Sequence, residues 1–205
     1  MPYTSLRLTE RGIVLKDFHM RRLQAAGPNA DAALEQLAKD KKPGCYSVWA
    51  EDKVWRIEPR GESRLYDGMP IRYLPSPLLG KVGPCAKTAS PNPYDAVRTL
   101  GIATLLTSAN GEEIFESCSA AVIGWDGNQF ICVPENNPHV WSTSEAAIRK
   151  YMPFISAPIK ISDTFPVILV NAIKGVCTIT TTDRQDMPQK VIKQLEELFL
   201  DLTYF

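Results

Sequence analysis

Histidine is nearly missing from this sequence, with two in 205 residues, and the five cysteines at positions 45, 85, 118, 132 and 177 never form a C-x-x-C pair. Those absences argue against a zinc site, which needs closely spaced Cys and His ligands, and for reduced thiols rather than a disulfide framework. Excess charge of one sign is absent too. Lys plus Arg (23) balance Asp plus Glu (23), so no basic field marks nucleic acid or an anionic membrane as a partner. Long apolar runs are lacking: stretches such as residues 167–170 fall far short of the roughly 20 residues of a membrane helix. The charged opening MPYTSLRLTERG has no apolar segment of a secretory signal, so a cytoplasmic protein is expected. Neither G-x-G-x-x-G nor a Walker pattern occurs, which weakens a nucleotide-binding α/β reading.

What is present is an ordinary globular composition, 44% apolar and 22% charged, with one outlier. Proline occurs 16 times, and six of these lie between Pro70 and Pro93. A stretch so rich in proline is neither helix interior nor central strand. An interdomain connection is therefore expected at about residues 75–86 (within YLPSPLLGKVGPCAK), separating a small N-terminal α+β domain, residues 1–80, from a larger β-rich C-terminal domain, residues 81–205.

In the first domain, residues 3–8 alternate like a strand, ERG turns the chain back, and DFHMRRLQAAG follows as a helix with Asp17 as N-cap and Gly27 as stop. PNADAALEQLAKD reads as a second helix. GCYSVWAEDKVWRIEPRGE and SRLYDGMPIRYLP read as β-hairpins rich in aromatic and β-branched residues. In the second domain, Asn92 caps an expected helix with Pro93 at its first position and Gly101 past its end. Asn110-Gly111 and Asp126-Gly127 suit two-residue hairpin turns, giving a four-stranded meander. Ser142-x-x-Glu145 has the spacing of a capping box opening a further helix. Two strands, FPVILV and GVCTITT, lead to an amphipathic helix over residues 187–202, with Val191, Leu195, Leu198 and Leu202 on one face packing on the sheet.

Four segments, in order, resemble the class IV aminotransferases, the pyridoxal-phosphate enzymes of fold type IV that include branched-chain and D-amino-acid aminotransferases and aminodeoxychorismate lyase. SLRLTERGIVLKDFHMRRL looks like the family's strand, turn and helix ending in H-x-x-R-L. KTASPNPYDAVRTLG is similar to its K-T-T-x-x-x-x-Y-D-x-A-R segment. NGEEIFESCSAAV resembles G-x-x-x-E-G-x-S-S-N-I and leads into VPENNPHVWSTS, at the spacing of the phosphate segment. LVNAIKGVCTI is close to I-T-N-A-x-x-G-V-x-P-V.

The resemblance implies a two-domain fold-type IV architecture, the cofactor pyridoxal 5'-phosphate, and a homodimer acting on a small amino or keto acid. It also implies roles that answer the cofactor's physical demands. Lys87 forms the imine with the aldehyde, which needs an amine of lowered pKa. Glu116 is the anion that keeps the pyridine nitrogen protonated; strand alternation puts it on the face of Glu112, opposite Glu113. Arg22 and the helix start at Thr143 and Ser144 grip the phosphate, with the turn at Asn171 and Ala172 closing its other side. Ser119 and Ala120 are small residues against the ring. His19 is read as a hydrogen-bonded packing residue and Tyr94 as a core aromatic. Trp49, Trp55 and Tyr73 suit either a core or an interface surface.

This sequence departs from the family at several points. The family carries a segment before the strand at residues 3–8 that helps build the substrate side, and here the sequence begins at that strand. Tyr3-Thr4-Ser5 replaces F-E-T, Ser142-Thr143-Ser144-Glu145 replaces G-I-T-R with reversed charge at its end, and Ala121 replaces Asn. Two activities stay open, a transaminase (EC 2.6.1.-) and a lyase (EC 4.1.3.-), the KTASPNPYD segment leaning to the lyase. The alternative of a different class is a degenerate member serving as a binding or interaction protein.

Overall fold

The computed structural model describes residues 3–24, 27–51, 54–62, 65–88 and 92–204. The expected helix end at residues 25–26, the hairpin turn at 52–53, residues 63–64 of SRLYDG and residues 89–91 of the lysine motif lie outside them. The first half contains β1 (Tyr3–Thr9), β2 (Gly12–Val14), α1 (Lys16–Gln24), α2 (Ala30–Asp40), β3 (Gly44–Glu51), β4 (Val54–Arg60), β5 (Met69–Pro75) and β6 (Pro84–Cys85). Next come β7 (Ala103–Thr107), β8 (Glu113–Ser117), β9 (Ala121–Trp125), β10 (Phe130–Cys132), β11 (His139–Val140) and α3 (Thr143–Tyr151). The chain ends with β12 (Phe154–Ser156), β13 (Ile159–Lys160), β14 (Val167–Asn171), β15 (Gly175–Thr180), α4 (Gln189–Asp201) and β16 (Thr203–Tyr204).

Two sheets carry the molecule. In the smaller, the order is β16-β2-β1-β3-β4. Apolar residues alternate along β1, so Leu6 and Leu8 join Leu23, Leu34 and Leu37 of α1 and α2 in one buried layer. Tyr3, Ser5 and Arg7 are left on the opposite face. β4 has the same polarity: Trp55 and Ile57 pack toward the helices, leaving Arg56, Glu58 and Arg60 on the face of Tyr3 and Ser5.

The larger sheet has nine strands in the order β12-β10-β9-β14-β15-β5-β7-β8-β13 and a hydrophobic layer on each face. Along β14, Ile168 and Val170 pack with α3 and α4, while Val167 and Leu169 point into the other layer. The expected C-terminal helix is present over Gln189–Asp201, burying Val191, Ile192, Leu195 and Phe199 against this sheet. Each such buried side chain contributes on the order of 1.5–3 kcal/mol.

Several expectations need correction. SRLYDGMPIRYLP is not a hairpin of the first sheet: β5 runs parallel to β7 and β15 inside the larger one. Conversely, β16 from the chain's end pairs with β2 in the smaller sheet. The four-stranded meander does not form as such. β7 pairs with β8 and β9 with β10, but β14, β15 and β5 separate the two hairpins in the sheet order. Neither hairpin has a two-residue turn with two positive φ angles. At residues 110–111 and 126–127 only Gly111 (φ 74°) and Gly127 (φ 105°) are left-handed, because Asn110 and Asp126 spend their side chains on the loops' own amides.

No α-helix follows Asn92. Asn92 Oδ1 accepts from the Tyr94 amide, and successive turns bring the Val97 and Arg98 amides to the Tyr94 carbonyl. The cap is there; the helix it was expected to start is only a turn, held in place by the burial of Tyr94.

Candidate active site

A cavity of about 290 Å³ opens between the two sheets, lined by residues from β1, α1, the segment at 87–104, β8, the start of α3 and the turn after β14. Of the nine residues expected at the site, eight line it: Lys87, Arg22, Glu116, Ser119, Ala120, Thr143, Asn171 and Ala172. The exception is Ser144, which is fully buried behind the wall; its Oγ has no hydrogen-bond partner among the described residues.

Lys87 is fixed from below by β1. Its carbonyl accepts from the Tyr3 amide (3.0 Å), its Nζ lies 3.5 Å from Ser5 Oγ, and the same Nζ stands 4.8 Å from the centre of the Tyr3 ring. Burial, followed by the charges of Arg22, Arg60 and Arg98, holds this amine well below the usual lysine range. Its lone pair is therefore available at a pH where a solvated lysine would be protonated.

Glu116 is brought to the cavity by an irregularity. β7 and β8 pair Leu106 with Glu116 but Thr107 with Ile114, so Phe115 is an extra residue, a β-bulge. The bulge reverses the parity expected along this strand. Ile114 faces the interior layer, and Glu116 turns to the opposite side together with Glu113, not Glu112. There Tyr94 Oη donates to Glu116 Oε1 at 2.5 Å, and the Val140 amide donates to both carboxylate oxygens at 3.1 Å. Burial raises its pKa from 4.5 to about 8 against these hydrogen bonds, with Glu145 adding repulsion. The same contact, with burial, drives the Tyr94 hydroxyl far above the ordinary tyrosine range. Tyr94 is thus a core aromatic and also the partner of the acid.

At the far end, Ser142 caps α3 by accepting from the Glu145 amide at 3.3 Å. Only half of the capping box is made, because the Glu145 carboxylate turns to Arg149, at 3.0 and 2.8 Å. That ion pair, 14% and 6% exposed, neutralises the acid that stands where the family has a cation. Arg22 reaches this helix start from α1. It donates to the Trp141 carbonyl, lies 5.4 Å from the Trp141 ring centre, and touches Thr4 Oγ1 at 3.4 Å. Its Nε is buried without a partner among the described residues, and burial lowers its pKa to about 10. A guanidinium with an unpartnered buried donor beside the first-turn amides of α3 suits a bound anion.

Asn171 closes the opposite side. Its Oδ1 accepts from the Ile173 and Lys174 amides, and its Nδ2 donates to the Ser119 carbonyl at 3.0 Å, tying the turn after β14 to the turn after β8. His19 packs as expected, fully buried with Nδ1 2.6 Å from Thr4 Oγ1; burial and the charges of Arg22 and Lys87 keep it neutral.

Sequence reasoning missed Arg60, Arg98, Trp141 and the Val140 amide. Arg98 sits in the last position of the matched Y-D-x-A-R pattern, a signal that was present. The Val140 amide has no side-chain signature, and nothing local distinguishes Arg60 from any strand-end arginine.

The residues present fit pyridoxal phosphate: an amine of lowered pKa, a buried carboxyl and an arginine with an unpartnered buried donor at a helix start share one cavity. No family model matches this sequence, and no curated protein matches it. Solved structures do. A proposed 4-amino-4-deoxychorismate lyase from Legionella pneumophila superposes with a TM-score of 0.72 at 13% identity, covering 98% of this chain and 90% of the other. A proposed branched-chain amino acid aminotransferase from Thermotoga maritima gives 0.70 at 14% identity, covering 98% and 85%. An aminotransferase from Brucella abortus, solved bound to the cofactor PLP, gives 0.67 at 15% identity, covering 98% and 88%. The likeness extends over nearly the whole chain and establishes a fold-type IV architecture.

Proposed function

We propose that the chain is a pyridoxal-phosphate-dependent enzyme acting on an amino or keto acid, as a transaminase or an aminodeoxychorismate lyase-like enzyme. The convergence of Lys87, Glu116 and Arg22 on one cavity carries this reading. When bound, the cofactor supplies an electron sink for negative charge developing at the substrate's α-carbon. Lys87 would hold its aldehyde carbon, Glu116 its ring nitrogen, and Arg22 with the start of α3 at Thr143 its phosphate. Ser119, Ala120 and Ala172 leave room for the ring.

The protein's own contribution is positional and electrostatic. Lys87, its pKa lowered by burial and neighbouring cations, would move a proton between the substrate's α-carbon and the carbon that was the cofactor's aldehyde. Tyr94 and the Val140 amide hold Glu116 so that its carboxylate meets the cationic ring nitrogen without moving. The wall facing the substrate decides between transamination and loss of a side-chain fragment, and KTASPNPYD leans to the latter. The degenerate-scaffold alternative gains no support, since each cofactor demand has its residue at the cavity.

We further propose a small N-terminal and a larger C-terminal unit meeting at this cleft, and a cytoplasmic homodimer. Among the described residues no helix is long and apolar enough to cross a membrane. Trp49 lies half-buried beside Tyr3, on the face of the smaller sheet opposite α1 and α2. Light scattering should give twice the chain mass; a monomer at micromolar concentration would overturn the dimer.

Protein incubated with pyridoxal phosphate should gain a visible absorbance band that borohydride bleaches, with the reduced adduct mapping to Lys87. Lys87→Ala should lose the adduct and at least about a thousandfold of turnover, as expected when the covalent nucleophile is removed. An adduct on another lysine would sink the assignment.

A further inference from the structure

Two buried polar atoms of α1, His19 Nε2 and Arg22 Nε, have no hydrogen-bond partner among the described residues, and they belong to side chains one turn apart. The same two side chains meet at a third. Thr4 Oγ1 stands 2.6 Å from His19 Nδ1 and 3.4 Å from Arg22 Nη1. Thr4 and His19 are both fully buried; on β1, Thr4 faces the helices with Leu6 while Tyr3 and Ser5 face Lys87. A guanidinium only donates, so Thr4 Oγ1 accepts from Arg22, and its hydroxyl proton is left for a bare Nδ1 on His19. The opposite tautomer would put both neighbours' donors on Oγ1 and leave the hydroxyl proton and a bare Nε2 buried without partners. Burial and the charges of Arg22 and Lys87 keep the ring neutral, as this arrangement requires.

The result is a line of donation from Arg22 through Thr4 to His19, in which each bond polarises the next. It holds one arm of the guanidinium. The Trp141 carbonyl holds the other, and the Trp141 ring lies 5.4 Å from the guanidinium carbon. Both anchors are neutral, and no carboxylate pairs with Arg22 among the described residues. Thr4 also stands where this sequence departs from the family's F-E-T, so this support belongs to the chain itself. Arg22 lines the cavity, whereas Thr4 and His19 do not and can act on a ligand there only through it.

We propose that Thr4 and His19 are positioning residues for the cofactor's phosphate: the imidazole orients the Thr4 hydroxyl, and the hydroxyl fixes the Arg22 fork against the start of α3. Without that line the guanidinium keeps its charge but loses one of its two anchored arms, and the phosphate must order it on binding. The inference rests on the pyridoxal-phosphate reading above.

The test compares pyridoxal phosphate with pyridoxal, which lacks only the phosphate, each titrated into the full chain stripped of cofactor and followed by its visible absorbance. Thr4→Val keeps the shape of the side chain and removes the hydroxyl. It should weaken pyridoxal phosphate about tenfold, the order of one hydrogen bond to a charged group, and leave pyridoxal affinity unchanged, which also certifies the variant's fold. Thr4→Ser, which retains a hydroxyl, should bind both ligands as the unaltered protein does. His19→Leu should repeat the selective loss, and its combination with Thr4→Val should lose less than the product of the two single effects, because the two side chains act as one line. A Thr4→Val variant that loses affinity for both ligands alike, or a Thr4→Ser variant as weak as Thr4→Val, overturns the proposal. An unaltered protein that binds neither ligand overturns the cofactor reading and this inference together, while normal binding that Thr4→Val leaves untouched overturns this inference alone.

Discussion

Glu116 concentrates the chemistry of the ligand-free site in one titration. Its folded pKa of about 8 lies above the ordinary 4.5, so between those values the folded protein binds a proton that the unfolded chain releases. Stability from this group is complete below about pH 4.5 and is lost as pH rises toward 8, by up to about 1.4 kcal/mol per unit. Lys87 and His19 act in the opposite sense, since both are depressed and favour folding as pH rises. The comparison with Glu116→Gln isolates the acid. Denaturant unfolding of the ligand-free proteins should show the variant gaining on the unaltered protein from pH 5 to pH 8; a constant difference would contradict the raised pKa.

At this scale the sequence was largely legible. Lys87, Glu116 and Arg22 could be named because each sits in a segment that resembles a known family's, and the structure brings all three to one cavity. The side of the strand on which Glu116 emerges was not legible, because alternation was the only guide and the bulge at Phe115 breaks it. Ser144 was placed at the wall by its neighbours' hydroxyls, but the helix rotates every residue by about 100° and carries it behind Thr143.

Among the elements, α3 matters most to the site because it combines a capped start with a buried ion pair one turn along. Removing one member of such a pair strands the other, at a cost of roughly 3–5 kcal/mol. Arg149→Ala should destabilise the fold by that order and weaken pyridoxal-phosphate binding, since an unshielded Glu145 repels a phosphate at the helix start. Glu145→Gln in the same background should recover part of both, read by denaturant unfolding and cofactor titration. Loss in the single variant without recovery in the double would mean that Arg149 acts through its bond to the Val133 carbonyl instead.

Elements with a strong local signature were readable: α4 from its apolar spacing, α3 from its cap, the strand pair β14 and β15 from their β-branched runs. The segment from Asn92 to Gly101 carried a cap, a proline and a terminal glycine, yet it forms turns. Tertiary demand decided there, because Tyr94 must reach Glu116 across 22 positions and a continuous helix was not the path taken. Strand β5 was misassigned for a related reason. Parallel pairing with β7 and β15 joins residues far apart in the chain, and no local pattern reports it.

Over the whole molecule the site draws on residues from Tyr3 to Ile173, so a ligand gripping it binds the complete fold and nothing less. Saturating pyridoxal phosphate at one hundred times its dissociation constant should add about 2.7 kcal/mol to folding. Thermal scans with and without the cofactor measure this, and the gain should shrink sharply in Arg22→Ala. No shift in either protein would mean that the cavity holds no such ligand.

The bond from the Tyr3 amide to the Lys87 carbonyl has a consequence for biosynthesis. The first strand leaves the ribosome long before the segment that carries the reactive amine, and the hydroxyl-bearing helix start follows later still. A nascent polypeptide therefore lacks part of the cavity wall until Ile173 has been made, and a ligand that needs the whole wall has no earlier place to bind.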